Sequence, residues 1–172
     1  MTEFNGTYEL DPTHTRIGFV ARHAMITKVR GAFNDWTADI AVDGDNSAIK
    51  VVIKTDSIDT RNADRDGHVK GEDFFDVEKY PEMTFESTSV DVDGGKVTGD
   101  LTIKGVTKPV TLDVDLLGSE VDPWGNTRVG FDASTKINRK DFGIDFQAPL
   151  NSGGVLVSEE ITIEIEGSAI KK

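Results

Sequence analysis

The sequence predicts an all-β fold, an antiparallel meander either closed into a barrel or folded into a sandwich. Three observations lead there. Apolar residues recur with period 2 from Arg16 to Glu166, turn-forming clusters separate the runs at hairpin spacing, and one short segment near residues 62–71 breaks the rhythm. Alternation gives each strand one face for a core and one for water. Antiparallel sheets tolerate that arrangement, whereas parallel sheets are usually buried on both faces.

Taken in order, Ile17, Phe19 and Ala21 alternate with Gly18, Val20 and Arg22, and Trp36, Ala38, Ile40 and Val42 with Thr37, Asp39 and Ala41. Met83 and Phe85 lie between Glu82, Thr84 and Glu86, and Val97, Leu101 and Ile103 oppose Thr98, Asp100 and Thr102. Val110, Leu112, Val114 and Leu116 form the cleanest row. Val129, Phe131, Ala133 and Ile137 follow, and Ile161, Ile163 and Ile165 close the series. Corners fall at Asp43-Gly44-Asp45-Asn46, Asp93-Gly94-Gly95-Lys96 and Asp122-Pro123-Trp124-Gly125-Asn126, where Gly supplies positive φ and Pro presets the turn. Closure into a barrel removes the edges such strands would otherwise expose.

The interruption reads as a helix of about two turns. Asn62 caps it, Asp64 and Asp66 suit its positive end, Lys70 suits its negative end, and Gly71 stops it. Gly67 inside it costs stability, which limits its length. Phe74 and Phe75 follow, then Tyr80-Pro81 reopens the strand pattern, so helix and paired aromatics would cover one barrel end.

Composition narrows the function. The length of 172 residues fits one domain, taken as 1–172. Acidic residues number 31 against 19 basic, a net charge of −12, which repels a phosphate polymer at long range and argues against nucleic acid as a partner. With no cysteine, disulfides, thiolate metal sites and cysteine nucleophiles are all excluded. No apolar run approaches the ~20 residues of a membrane-spanning helix. The start carries neither a basic nor an apolar leader region, so a cytoplasmic location is expected. With no basic amphipathic helix, membrane contact is expected to be transient and to gain nothing from anionic headgroups.

Catalytic and metal-binding motifs are sparse. Asp64-Arg65-Asp66-Gly67 and Asp91-Val92-Asp93-Gly94 resemble calcium-loop starts but lack Gly at loop position six and Glu at position twelve. His14, His23 and His68 are not spaced to meet one another within one element, so no metal site and no cofactor is expected. His14 fits turn chemistry. His23 continues the inward parity of Ile17, Phe19 and Ala21 and reads first as a hydrogen-bonded histidine at a barrel rim, with a ligand contact as the alternative. Arg65, Arg139 and Lys140 read first as ion-pair partners in an acidic protein, and second as contacts to an anionic head group. Periodicity alone leaves open whether the interior rows fill the barrel or surround a ligand.

Tyr8-Glu9-Leu10-Asp11-Pro12-Thr13-His14-Thr15-Arg16-Ile17-Gly18-Phe19, with His23 and Gly31-Ala32-Phe33 beyond it, resembles the opening of the YceI-like family. So do Ser57-Ile58-Asp59-Thr60, Arg65-Asp66-Gly67-His68-Val69, Asp73-Phe74-Phe75-Asp76 and Tyr80-Pro81. The segments Gly99–Val110 and Ile137–Gly143 complete a match that runs in order along nearly the whole chain, with Val69 where Leu is usual. The resemblance implies an extended lipocalin-like antiparallel β-barrel of about eight strands with one short helix, holding a polyisoprenoid or similar amphiphilic lipid in an apolar cavity. It supplies no catalytic residue set.

On that basis Phe19, Ala21, Phe33, Ile40, Phe85, Leu101, Ile103, Val114, Leu116, Phe131 and Ile163 are expected to line the interior. Phe74 and Phe75 are expected near the helix-covered end, and His23 and His68 at a mouth. The expected function is non-enzymatic binding, storage or transfer of a polyisoprenoid, a quinone or a related lipid, with no stable membrane insertion and a homodimer left open. Two alternatives stand beside it: an enzyme using Asp66 and His68 as an acid–base pair, and a filled barrel serving as a structural or interaction module.

Overall fold

The computed structural model describes residues 4–148, 150 and 156–172. Eleven strands run in chain order: β1 (Gly6–Leu10), β2 (Arg16–His23), β3 (Thr27–Phe33), β4 (Trp36–Val42), β5 (Ala48–Lys54), β6 (Ile58–Asp59), β7 (Glu82–Asp91), β8 (Lys96–Ile103), β9 (Val106–Val121), β10 (Thr127–Asn138) and β11 (Glu160–Lys171). One α-helix, α1 (Ala63–Lys70), lies between β6 and β7. Neighbours pair antiparallel in the order β1-β4-β5-β7-β8-β9-β10-β11, and β11 returns to β1, closing an eight-stranded barrel.

The remaining three strands extend ribbons of this ring. β1 and β2 lie end to end along β11, with Leu10 opposite Ala169 and Arg16 opposite Glu166. β3 and β4 run end to end against them, as do β5 and β6 against β3 and β4. The breaks fall side by side. Asp11 gathers the backbone N–H and hydroxyl of Thr13 at the first. Asn34 donates its N–H to the Ser57 carbonyl, and Lys54 to the Asp35 carbonyl, across the other two. Thr55, in the 3₁₀ turn between β5 and β6, is buried and donates its hydroxyl to the Tyr80 carbonyl, so this corner satisfies its own polar groups.

The expected helix forms for the reasons legible in its sequence. The Asn62 side chain accepts the Arg65 N–H at 2.9 Å, Asp64 and Asp66 occupy the first turn, and Gly71 follows the last. The helix has no buried residue of its own, and it lies against β6 rather than within the core.

Most of the expected rows alternate as read, but in β2 Gly18 and Val20, expected on the outer face, are buried as well. In β8, Val97, Leu101 and Ile103 are buried while Lys96 and Asp100 are exposed. β9 departs from simple alternation once. Phe131 pairs with Leu116 while Gly130 pairs with Gly118, so Leu117 is an extra residue bulged outward, and this apolar side chain is left exposed. Beyond the bulge the strand's parity is reset.

Candidate functional site

The inner faces of the strands enclose a cavity of about 490 Å³, within the range of roughly 300–1,000 Å³ typical of small-molecule sites. Its wall is built from alternate residues of nearly every strand. All fifteen residues singled out in the sequence lie on it: Phe19, Ala21 and His23 from β2, Phe33 from β3, Ile40 from β4, His68 from α1, Phe74 and Phe75 after the helix, Phe85 from β7, Leu101 and Ile103 from β8, Val114 and Leu116 from β9, Phe131 from β10, and Ile163 from β11.

Two apolar clusters bracket this space. The larger runs from Ile17, Phe33, Ile58, Phe142 and Ile144 at the helix end along the wall to Leu101 and Val97. The smaller, around Tyr8, Val129 and Ala169, lies toward the other end. Tyr8 meets its polar need there by donating its hydroxyl to the Phe4 carbonyl at 2.8 Å, and burial raises its pKa.

The helix end is ringed by aromatic side chains. Phe33 meets Phe19 at 5.9 Å and Phe75 edge-on at 5.7 Å between ring centroids. The His68 ring stands edge-on to both Phe74, at 5.1 Å, and Phe146, at 5.0 Å, while its Nε2 meets Asp73 at 3.2 Å. Exposed residues His23, Arg65 and His68 line the cavity here, so it reaches the surface beside the helix.

Sequence reading missed part of the wall. Ile49, Val51 and Ile53 of β5 form an inward row of the same period-2 kind and were findable by that signal. Phe142, from a 3₁₀ turn, and Ile144, Phe146 and Leu156, from irregular backbone, also line the cavity after β10, where no strand period exists to follow.

Arg139 corrects the reading of that residue as an ion-pair partner. It is 4% exposed and donates Nε to the Ser158 carbonyl at 2.9 Å, Nη1 to the Ile144 carbonyl at 2.8 Å, and Nη2 to the Val157 carbonyl at 3.2 Å. Desolvation lowers its pKa, offset in part by Glu159 and Asp145, and a guanidinium remains charged regardless. It acts as a latch holding the segments on either side of residue 150 against the barrel end. Arg65 likewise donates to the hydroxyl and carbonyl of Thr60, at 3.0 and 2.7 Å, and not to a carboxylate. Lys140 does form an ion pair, with Glu159 at 2.9 Å.

Asp66 and His68 do not converge. Asp66 accepts the N–H of Thr60 at 2.7 Å and its hydroxyl at 2.5 Å, which hold the carboxyl below its usual pKa, while His68 turns to Asp73. Each side chain is engaged elsewhere, and the geometry offers no shared substrate position. His14 makes the expected turn contact, its Nδ1 lying 2.9 Å from Asp11. Among the described residues no group of three or more His, Asp or Glu could hold a metal ion, and no helix is long and apolar enough to cross a membrane.

Known proteins agree with this architecture. Residues 8–169 match the YceI-like domain. A UPF0312 protein of Photorhabdus laumondii is 43% identical over 168 residues, covering 95% of this chain and 85% of that protein. The crystal structure of BcnA from Burkholderia cenocepacia superposes with a TM-score of 0.79 at 25% identity, covering 92% of this chain and 98% of that one. A domain from Saccharophagus degradans described as polyisoprenoid binding, and implicated in plant cell wall breakdown, gives 0.70 at 17% identity, covering 96% and 98% respectively. With its family domain matched from Tyr8 to Ala169 and its strands closed around an apolar cavity, the chain belongs to the YceI-like family.

Proposed function

We propose that this protein binds, stores or transfers a polyisoprenoid or a similar long-chain amphiphilic lipid or quinone, non-enzymatically, with residues 1–172 acting as one lipid-binding domain. The observation that carries this reading is the 490 Å³ cavity itself, walled by aliphatic and phenyl side chains from nearly every strand. An apolar wall with few polar partners suits a hydrocarbon tail and offers little to a polar substrate. The fifteen residues named above would form the surface that meets the ligand, and His23 and His68 would meet its polar end. The fold shared with the Saccharophagus polyisoprenoid-binding domain supports the same reading.

The energetics favour tight but unselective binding. At ~0.8 kcal/mol per buried CH₂, a tail of about forty carbons would gross about 30 kcal/mol, above the ceiling near 20 for non-covalent affinity. Ordering the chain therefore offsets much of the gain, and discrimination by length or unsaturation should be weak. Native mass spectrometry of the protein as purified should show a retained lipid. Uptake of a fluorescent prenyl probe, read alongside thermal melting, tests the site: Leu101→Arg puts a cation midway along the wall and should abolish uptake in a protein that still folds. A wild type that takes up no apolar probe would defeat the proposal.

A further inference from the structure

We propose that the β2–β3 hairpin docks the mouth of the barrel onto an anionic lipid surface. The inference rests on the lipid-carrying reading, since a cavity that loads hydrocarbon from a bilayer must bring an opening to it. From Pro12 to Asn34 the chain has no Asp or Glu but carries Arg16, Arg22, Lys28 and Arg30, within a protein of net charge −12. Net charge conceals this local reversal of sign.

Arg22 and Lys28 are direct cross-strand partners, both exposed, and neither has an acidic partner among the described residues. Like charges directly opposite each other destabilise a strand pair. Arg30, next on that face, meets Glu164 only at 3.7 Å. The inward partners Ala21 and Val29 line the cavity and Arg22 reaches its edge, so the basic residues and the cavity wall meet on one hairpin. At its tip, Met25 is 56% exposed and Ile26 80% exposed. Ala24 and Met25 both hold positive φ, 52° and 58°, in a turn closed by the Ile26 N–H donating to the His23 carbonyl at 3.0 Å. Asn-Gly is the comfortable choice for such positions, so alanine and methionine are kept there at the expense of strain. An apolar tip flanked by unneutralised cations, beside an opening to an apolar cavity, has the chemistry of an anionic bilayer interface.

Outside the hairpin both ends of the barrel are acidic, with Asp64, Asp73, Asp141, Asp145 and Glu159 exposed on the segments around the mouth, so the hairpin is the basic element that faces outward there. The β4–β5, β7–β8 and β9–β10 connections lie at the opposite end and carry Asp43, Asp45, Asp91, Glu120 and Asp122. Trp124, 81% exposed, and Val121, 65% exposed, form a second apolar tip there, but acidic neighbours turn it away from an anionic surface.

Flotation of the full chain with phosphatidylcholine vesicles, with and without phosphatidylglycerol, tests the proposal. Wild type should float with the phosphatidylglycerol vesicles only and should be released by added salt, a readout that needs no variant. Lys28→Glu, which removes two units of positive charge from this face without touching the cavity lining, should weaken partitioning about 30-fold, and Met25→Ser with Ile26→Ser by at least as much, with prenyl-probe uptake unchanged and the fold retained. Trp124→Ser should float like wild type. Equal flotation with both vesicle types, or loss on Trp124→Ser, would overturn the proposal. So would a wild type that ignores both vesicle types. Because probe uptake is read separately, a protein that floats but takes up no probe would defeat the carrier reading alone, and the reverse result would defeat docking alone.

Discussion

The ring tip of Phe19 covers Gly31, its direct partner on β3, and a β carbon on Gly31 would stand 2.3 Å from its Cζ. The contact recurs around the barrel. The Phe131 ring covers Gly167, its partner on β11, with 2.7 Å to a β carbon there, and the Phe85 ring covers Gly99 at 2.6 Å. A phenylalanine that faces inward normally extends across a barrel and fills it. Here a missing side chain on the neighbouring strand lets three rings lie along the wall, and the lumen stays open.

Gly31→Ala and Gly167→Ala should therefore act on the cavity more than on the fold. Each methyl would push a phenyl ring off the wall, at an overpacking cost of about 1–3 kcal/mol that alanine's better strand propensity offsets in part. The expected outcome is a melting temperature lowered by a few degrees, with prenyl-probe uptake reduced severalfold. Uptake unchanged in both variants would show that the rings do not set the cavity.

Arg128 joins the β9–β10 turn to a part of the chain 117 residues away. Its Nη1 donates to Asp11 at 2.8 Å, at the break between β1 and β2, and its Nε to Asp122 at 2.7 Å, in the β9–β10 turn. Arg128 is the main reason that the Asp11 carboxyl is held well below the usual range and that Asp122 is lowered to about 2. Both groups are depressed in the folded state, so the stability they add is complete above an unfolded pKa near 3.9 and is lost as pH falls through the folded values. Urea titrations should show wild type more stable than Arg128→Met by a constant margin from pH 7 to about pH 5, narrowing toward pH 2. A margin independent of pH would show that the pairing is not electrostatic.

The Arg139 latch should be costly to remove. Arg139→Met retains the apolar stem but leaves the carbonyls of Ser158 and Ile144 without their donor, while Val157 keeps its bond from Gln147. Charge-assisted hydrogen bonds contribute about 1.5–3 kcal/mol each, so a loss of about 4 kcal/mol is expected in denaturant unfolding. Hydrogen exchange should rise first in the backbone around residues 143–148 and 156–158. Wild-type stability in the variant would mean that those carbonyls find other donors.

Much of this protein was written into local pattern. Period 2 placed Leu101 and Ile103 on one face and Asp100 and Thr102 on the other, because a strand turns successive side chains to opposite sides wherever it sits. Asn62 and Gly71 bounded the helix because capping is satisfied within a few residues. Tertiary structure decided what those faces enclose. Whether Phe19 fills the lumen or lies along the wall depends on Gly31, which reaches it through strand pairing rather than through its own neighbours in the chain. Arg139 looked like one more surface cation until folding buried it among carbonyls of irregular backbone that has no period to read. Side-chain direction is set by one residue's own backbone, whereas cavity and latch are set by what a different part of the chain brings opposite.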